Sequence, residues 1–296
     1  MKFQRLLPGL LTLLLLATTP QTILASETPR NRPVSRIVNG YPVKNNKYPF
    51  IVALQQPAFI SSDNPYGHEC GGSLISPTAI LTAAHCMSLT DDNGNFILNK
   101  DGSPIITQPS EWTVRLGMTT YGARQGRDAT VVRIVTHPKW GDNLESMLYD
   151  VAIMTLEQPV NDLPFVRIAD PDQERVGARV TVAGWGDIVA QNSNMTLPGI
   201  YPKRLQETKV SVINGQKCVA AYAPDMSFES DLQICASSVR TDSCDGDSGG
   251  PLFKNIQGVP TQFGIVSYGD GCARGTPAVY TRLSSPEISE FVRQYQ

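Results

Sequence analysis

The sequence has no excess of charge of either sign, because its 25 Lys and Arg residues face 27 Asp and Glu residues for a formal net charge of −2. Nucleic-acid binding usually needs a strongly basic surface, so this balance gives no support for a nucleic-acid partner. The hydrophobic share of 41% and the charged share of 18% are ordinary for a globular protein and argue against disorder. The 296 residues allow one large domain or two smaller ones.

Long apolar runs are also missing, apart from one short run near the N-terminus. Residues 10–17 are apolar except for Thr12, and they follow Lys2 and Arg5. This run is too short to cross a bilayer as a helix, which disfavours a membrane anchor. A positive start, a short apolar run and small residues around Ala25 are typical of a secretory signal peptide. We therefore expect residues 1–25 to be removed and the protein to be secreted, or periplasmic in a bacterium, without membrane contact afterwards.

Cysteine pairs with metal-binding spacing are absent as well, since no CxxC or CxxH occurs in the chain. The number of cysteines is even, which in an exported protein indicates disulfides. Six cysteines allow fifteen pairings, and the spacing alone does not choose among them. The six are Cys70, Cys86, Cys218, Cys235, Cys244 and Cys272.

Helical periodicity is scarce before the last residues, and short apolar, β-branched runs separated by Gly, Pro, Asn and Asp recur instead. Many short strands with turn signals between them are typical of β-barrels and β-sandwiches. Residues 286–296 are the best candidate helix, because Ile288, Phe291 and Val292 recur at helical spacing. Examples of the short runs are residues 50–54, 79–82, 113–116, 151–156 and 278–281.

Residues 87–110 look like an insertion and are predicted to form a surface hairpin. Asn-Gly at 93–94 and Asp-Gly at 101–102 are strong turn signals around a small apolar run. The acidic start of the segment also suggests a calcium loop. The EF-hand pattern needs glycine at its sixth position, however, where this chain has Phe96, so the hairpin is preferred.

Three short stretches supply a histidine, an acid and a serine in that chain order, namely His85, Asp150 and Ser248. A serine hydroxyl is a weak nucleophile that needs a nearby base, and histidine suits this task because its pKa lies near neutral. A buried carboxylate then fixes the imidazole tautomer and stabilises the imidazolium. Developing negative charge on a substrate oxygen needs fixed donors, which the backbone N–H groups of Gly246 and Ser248 can supply.

Each of these residues alone has a simpler explanation. A lone histidine after two alanines is commonly a buried side chain, and a lone aspartate before a strand commonly forms a turn. In another hydrolase fold, the GxSxG pattern leads directly into a helix. Pro251, after the two glycines, disfavours a helix that starts at Ser248. The chain order of histidine, acid and serine also argues against such an esterase. The combination of all three residues in one exported chain favours catalysis.

These stretches belong to seven motifs by which the chain resembles the trypsin-like serine proteases of the chymotrypsin fold. The resemblance covers about residues 37–293, and the motifs follow the family's order. They are RIVNG at 36–40, CGGSLI at 70–75, LTAAHC at 81–86, YDVAI at 149–153, AGWG at 183–186, DSCDGDSGGP at 242–251 and SYGDGC at 267–272.

The resemblance implies an all-β fold of two packed six-stranded antiparallel β-barrels, with the active site in the cleft between them and a short C-terminal helix. The implied peptidase domain is 37–296. Barrel one is expected at about 50–160, barrel two at about 161–283 and the helix at about 286–296.

The resemblance also assigns roles to the three catalytic candidates. His85 would be the general base and then the general acid, Asp150 would orient it, and Ser248 would attack the scissile carbonyl and form an acyl-enzyme. The N–H groups of Gly246 and Ser248 would form the oxyanion hole. The disulfides it implies are Cys70–Cys86, Cys218–Cys235 and Cys244–Cys272.

A substrate pocket follows from the same resemblance. Asp242, six residues before the nucleophile, would lie at its base and bind the Arg or Lys side chain of a protein or peptide substrate. Ser243 would add a hydrogen bond, and the backbone around Ser267 would pair with the substrate. Gly269 and Gly271 would leave room for a long side chain to enter.

One residue departs from the trypsin pattern. Ala278 stands where trypsins usually have glycine, beside the pocket floor. Its methyl group is expected to crowd the substrate side chain or displace a water, an effect typically worth about 1–3 kcal/mol. We therefore expect cleavage after Arg or Lys with an altered ratio between the two.

The pair Arg36-Ile37 resembles the family's zymogen cleavage site, so residues 26–36 would be a short propeptide. The new amine of Ile37 would pair with Asp247, and the buried pair would act as an activation switch. No cofactor and no metal are expected, since Met118 stands where a calcium-binding trypsin has a glutamate. We expect a monomer, with a protein inhibitor as a second kind of partner.

The alternative function is a catalytically silent homologue that keeps the fold as a binding module. Such homologues usually lose a triad residue or the activation site. This chain keeps all of them, which favours the active endopeptidase.

Overall fold

The computed structural model describes Ile37 and residues 40–190, 199–238 and 241–296. The predicted signal peptide, 1–25, and propeptide, 26–36, lie outside the described residues. Neither helix of the described part is long and apolar enough to cross a membrane.

The regular secondary structure of the described part consists mainly of short β-strands, as predicted from its apolar runs. The first eight strands are β1 Tyr41–Pro42, β2 Ile51–Gln55, β3 His68–Ser76, β4 Ala79–Thr82, β5 Thr113–Leu116, β6 Arg127–Ala129, β7 Val131–Thr136 and β8 Ala152–Leu156. The others are β9 Arg167–Ile168, β10 Arg179–Gly184, β11 Gln206–Val212, β12 Gln233–Ser237, β13 Pro251–Ile256, β14 Val259–Tyr268 and β15 Ala278–Arg282. The helices are α1 Gln216–Tyr222 and α2 Pro286–Arg293, and single turns of 3-10 helix lie at Pro57–Phe59, His85–Met87, Pro109–Glu111 and Pro171–Gln173.

The first sheet is antiparallel, in the order β6-β5-β2-β3-β4-β8-β7. Its two edge strands, β6 and β7, are consecutive in the chain and separated only by Thr130, so the backbone itself joins the two edges. Every residue of the interior strand β4 is buried, and β2 and β8 are buried except at one position each. Their aliphatic side chains fit a sheet that folds around its own core, and this sheet is called the first barrel below.

The second sheet closes by hydrogen bonds. Its order is β11-β10-β13-β14-β15-β12, and β12 pairs back with β11 to complete a six-stranded barrel. Buried and more exposed residues alternate along β11, which is the pattern of a strand with one face toward a core. The mostly β architecture with a closed barrel confirms the predicted chymotrypsin-like fold class.

Helix α2 confirms the predicted C-terminal helix, although it ends at Arg293. Ile288, Phe291 and Val292 are buried in the same apolar core as the strands of the first sheet. The helix α1 was not predicted, because its seven residues are too few for a periodic pattern to stand out.

The segment 87–110 forms the expected turns. Short antiparallel bridges join Thr90 to Phe96 and Leu98 to Pro104, with Gly94 and Gly102 in the two turns. Phe96 packs edge-on against the buried Trp140 at 5.6 Å between ring centroids, which ties the hairpin to the first barrel.

Candidate active site

The pairing of β4 with β8 brings His85 and Asp150 together. Thr82, the last residue of β4, lies opposite Ala152, the first residue of β8. His85 follows β4 by three residues and Asp150 precedes β8 by two, so both residues emerge at the same end of the sheet. His85 Nδ1 lies 2.7 Å from Asp150 Oδ2, and the backbone N–H of His85 donates to Asp150 Oδ1 at 2.8 Å.

Asp150 is fully buried and, besides His85, is held by two residues of the second barrel. Ser267 Oγ, on β14, donates to Asp150 Oδ2 at 2.6 Å, and Thr281 Oγ1, on β15, donates to the backbone oxygen of Asp150 at 2.7 Å. Both carboxylate oxygens of Asp150 therefore have donors. Burial alone would lower the pKa of the His85 imidazole, but the adjacent Asp150 carboxylate, with a smaller effect of Glu69, holds that pKa above its ordinary value.

Ser248 lies on a glycine-rich turn between the barrels. Its backbone oxygen accepts from Gly71 N, on β3, at 2.7 Å, and the next residue, Gly249, donates to Val266 O at 2.9 Å. Gly249 has φ +76°, and a Cβ there would lie 2.2 Å from Thr82 Oγ1, so the turn needs glycine at this position. The described residues include no hydrogen bond from Ser248 Oγ to His85, as is common in active sites without substrate.

The backbone donors expected to hold an oxyanion are free to do so. Asp247 N donates to Cys244 O at 2.9 Å, and Gly250 N donates to Asp247 O at 3.0 Å. The N–H groups of Gly246 and Ser248 have no acceptor among the described residues.

A cavity of about 620 Å³ opens beside Ser248. Asp242, only 7% exposed, lines it and accepts from Ala273 N at 3.3 Å. Burial raises the pKa of Asp242 to about 7, against the lowering effect of backbone hydrogen bonds from Ala273 and Ser243. The other residues predicted for the pocket also line the cavity, namely Ser243, Ser267, Gly269, Gly271 and Ala278.

A family model described as Trypsin matches residues 37–288 of this chain. The chain belongs to the trypsin family. Among curated relatives, it is 34% identical to a trypsin of Sarcophaga bullata over 254 residues, which covers 84% of this chain and 85% of the relative. It is 32% identical to a tryptase of Mus musculus over 259 residues, with coverage of 84% and 85%. It is also 32% identical to phenoloxidase-activating factor 3 of Holotrichia diomphalia over 265 residues, with coverage of 84% and 70%.

Membership makes this trypsin-family protein a serine protease, a hydrolase whose substrates are proteins. Its six cysteines form the three disulfides that the resemblance implies, Cys70–Cys86, Cys218–Cys235 and Cys244–Cys272. The first fixes the chain next to His85, and the third ties the Ser248 turn to the wall of the cavity.

One group of potential metal ligands lies at the site of this trypsin-family protein. Ligand atoms of Cys70, His85 and Cys86 are within 4.8 Å of one another. The two sulfur atoms are bonded to each other, however, so neither is a thiolate able to bind a metal.

Asp247, the residue before Ser248, is buried. Its Oδ1 accepts from Gly186 N at 2.9 Å, and its Oδ2 accepts from Cys244 N at 3.0 Å. Burial raises the pKa of Asp247 to about 7, against the lowering effect of these two bonds. Ile37 is also buried, whereas Arg36 lies outside the described residues.

The structure adds cavity residues that the sequence motifs did not reveal. The end of α1 and the segment after it contribute Tyr222, Asp225 and Met226. Tyr222 OH donates to Pro277 O at 2.5 Å, next to Ala278. The only sequence signal for this contact is Cys218, whose bond to Cys235 brings α1 against the second barrel.

Proposed function

We propose that this protein is a secreted serine endopeptidase, made as a zymogen, that hydrolyses peptide bonds after Arg or Lys. The observation that carries the proposal is the 2.7 Å contact between His85 Nδ1 and Asp150 Oδ2, beside a cavity that contains both Ser248 and the buried Asp242. Ser267 lines this cavity and donates to Asp150 Oδ2, which supports the assignment of the histidine–acid pair and the cavity to one site.

The chemistry follows from the hydrogen bond to Asp150. Because Asp150 Oδ2 can only accept, His85 Nδ1 carries a proton and the neutral imidazole keeps its lone pair on Nε2. His85 Nε2 takes the proton of Ser248 Oγ as that oxygen attacks the scissile carbonyl carbon. It then gives the proton to the leaving nitrogen as the C–N bond breaks, which leaves an acyl-enzyme. A water molecule then attacks the acyl carbon as His85 Nε2 takes its proton. The bond from that carbon to Ser248 Oγ breaks, His85 returns the proton to Oγ, and the new carboxyl end of the substrate leaves.

The tetrahedral intermediate places negative charge on the former carbonyl oxygen. The free N–H groups of Gly246 and Ser248 are the donors that would stabilise it. Loss of one such donor typically costs about 100- to 1,000-fold in kcat.

Asp242 is the residue expected to select the substrate. At pH 7, a carboxyl group with a pKa of about 7 is only partly charged unless a cation binds beside it. The guanidinium or ammonium group of a substrate restores the charge and pairs with it in a site largely shielded from water. Ala278, 4% exposed on the cavity wall, adds a methyl group that alters the choice between Arg and Lys.

Activation is proposed to occur by cleavage between Arg36 and Ile37. The released ammonium group of Ile37 would pair with Asp247, whose carboxylate already holds Gly186 N and Cys244 N. A buried acid with a raised pKa is a suitable partner, because an adjacent cation favours its charged form.

To test this proposal, the purified precursor is cleaved between Arg36 and Ile37. Hydrolysis is then measured for small amide substrates that have Arg, Lys, Phe or Ala before the cleaved bond. We expect hydrolysis of the Arg and Lys substrates, blocked by a serine-directed covalent inhibitor and absent from a Ser248→Ala variant. Hydrolysis of the Phe or Ala substrate instead would contradict the specificity. No inhibitable hydrolysis of any substrate would favour a silent binding module.

A further inference from the structure

A fully buried histidine outside the triad contacts the backbone of the proposed oxyanion hole. His68, 1% exposed at the start of β3, has its Nε2 2.9 Å from Gly246 O. On the other side of the ring, Tyr121 OH lies 3.0 Å from His68 Nδ1, and Tyr121 is 5% exposed. The proposed function uses neither side chain.

These two contacts determine where the proton of the imidazole lies. A carbonyl oxygen can only accept a hydrogen bond, so His68 Nε2 must carry the proton that it donates to Gly246 O. Burial lowers the pKa of His68 to about 4, so the ring is neutral near pH 7 and has a single N–H. His68 Nδ1 is therefore an acceptor, and Tyr121 OH must be its donor.

The donation from His68 fixes one peptide plane of the Ser248 turn. The plane between Gly246 and Asp247 is held at its oxygen by His68 Nε2 and at its nitrogen by Cys244 O, which accepts from Asp247 N at 2.9 Å. Gly246 itself has φ +86°, a conformation that few residues adopt. Gly246 N–H belongs to the preceding peptide plane, whose Asp245 O accepts from Asp187 N at 2.7 Å, so the φ and ψ angles of Gly246 join two planes that are both held by hydrogen bonds.

The surroundings leave Tyr121 little freedom to move. Its ring stacks on Tyr66 at 4.3 Å with an angle of 8°, and it packs edge-on against Trp185 at 5.8 Å. Its backbone N–H donates to Lys203 O at 2.7 Å. The Tyr121 hydroxyl is thus a rigid donor.

The backbone of His68 is fixed as well. The Asn64 side chain accepts from His68 N at 3.0 Å and donates to His68 O at 2.8 Å. The backbone position of His68 is thus fixed, and the ring's own bonds to Gly246 O and Tyr121 OH set its orientation.

We propose that Tyr121 is a positioning residue of the active site, whose hydroxyl donates to His68 Nδ1, holds the ring in the orientation in which Nε2–H donates to Gly246 O, and thereby helps to keep Gly246 N–H directed at the substrate oxygen. Without the hydroxyl, the buried Nδ1 has no donor in this orientation, so the ring is expected to turn and to weaken its bond to Gly246 O. This inference rests on the proposed protease function.

The test compares Tyr121→Phe with Tyr66→Phe in the processed enzyme. Both changes remove one hydroxyl from the same aromatic stack, but only the first removes the donor to His68. We expect Tyr121→Phe to lower kcat about tenfold with KM within about twofold, and Tyr66→Phe to change neither. Equal kcat values for the two variants, in an active wild-type enzyme, would overturn the inference. An inactive wild type would instead count against the proposed function.

A second measurement does not need activity or a stable variant. Long-range proton–nitrogen NMR spectra of the Ser248→Ala protein report which ring nitrogen of His68 carries the proton. We expect a proton on Nε2 alone, and a shifted or broadened His68 Nε2–H signal once Tyr121→Phe is added, because the bond to Gly246 O weakens. A proton on Nδ1 of His68 in the protein that retains Tyr121 would overturn the proposal, even if the Tyr121 variant does not fold.

Discussion

Ser267 Oγ lies 2.6 Å from Asp150 Oδ2, the same carboxylate oxygen that accepts the hydrogen bond of His85 Nδ1. Ser267 belongs to β14 of the second barrel, whereas Asp150 immediately precedes β8 of the first. The acid that orients the histidine is therefore itself held across the barrel interface. Thr281, on the neighbouring strand β15, adds a second bond from the same side.

Replacing Ser267 by alanine should reduce catalysis with little change in substrate affinity. A hydrogen bond to a charged group contributes about 1.5–3 kcal/mol, so we expect kcat to fall about tenfold or more in Ser267→Ala. The control is Ser237→Ala, which removes a hydroxyl from the end of β12 in the same barrel. Equal rates for the two variants, measured with an Arg amide substrate, would show that the bond to Asp150 does not matter for catalysis.

Activity should fall on acidification, because protonation of His85 removes the base. Burial opposes the charged imidazole, but Asp150 beside it raises the pKa of His85 above its ordinary value of 6.5. The acid limb of kcat/KM is therefore expected to have its midpoint above pH 6.5. A flat profile between pH 5 and 8 would count against His85 as the base.

The raised pKa of His85 makes folding stability depend on pH in the opposite direction from activity. The folded state binds the His85 proton more tightly than the unfolded state, so this residue contributes its full stabilisation below about pH 6.5. The contribution is lost as the pH rises through the folded-state pKa. Activity and this part of the stability thus change in opposite directions across the same pH range.

The family resemblance implied the three disulfides that the structure contains, and the motifs predicted the closeness of His85 and Asp150, because each of these residues lies in a contiguous motif with a known place in the fold. His85 and Asp150 are 65 residues apart, yet each is within three residues of a strand, and the two strands are neighbours. The β-rich runs and the helix near Phe291 were equally local signals. Local patterns of this kind can be recognised in the sequence without knowledge of the tertiary structure.

Contacts between distant, unremarkable residues could not be predicted in this way. Tyr121 OH and His68 Nδ1 are 53 residues apart in sequence, and neither residue stands in a motif that indicates a partner. Tyr222 reaches the cavity from a seven-residue helix whose placement depends on a disulfide and on packing against β15. Such contacts depend on how the barrels and their loops pack, which no short window of sequence contains.

Removing the methyl group of Ala278 should shift the preference between Arg and Lys. The larger guanidinium group needs more room at the cavity floor than an ammonium group, so Ala278→Gly is expected to raise kcat/KM for an Arg substrate more than for a Lys substrate. A methyl group at such a site is worth about 1–3 kcal/mol, which sets the change in the ratio at roughly fivefold or more. Parallel assays with matched Arg and Lys amides measure it, and an unchanged ratio would exclude Ala278 as a selectivity residue.

The uncleaved precursor should become more stable as the pH falls from about 7 toward about 4. Burial raises the pKa of Asp247 to about 7, against hydrogen bonds from Cys244 and Gly186, so the folded state binds this proton more tightly than the unfolded chain does. Urea unfolding of the Ser248→Ala precursor at pH 5 and pH 7.5 measures the effect. Asp247→Asn should reduce the difference, whereas Asp270→Asn, at an exposed position, should leave it unchanged.

After processing at Arg36, Asp247→Asn should produce a cleaved but nearly inactive protein. The proposed ammonium group of Ile37 would then have no carboxylate partner, and breaking a buried ion pair in this way costs about 3–5 kcal/mol. Since Asp247 also holds Gly186 N and Cys244 N, on either side of the Gly246 turn, the oxyanion donors should lose their fixed positions. N-terminal sequencing confirms the cut, and we expect kcat/KM to be at least 100-fold below that of processed Asp172→Asn, a change at an exposed position that does not line the cavity. Comparable activity in the two cleaved variants would mean that Asp247 does not couple processing to catalysis.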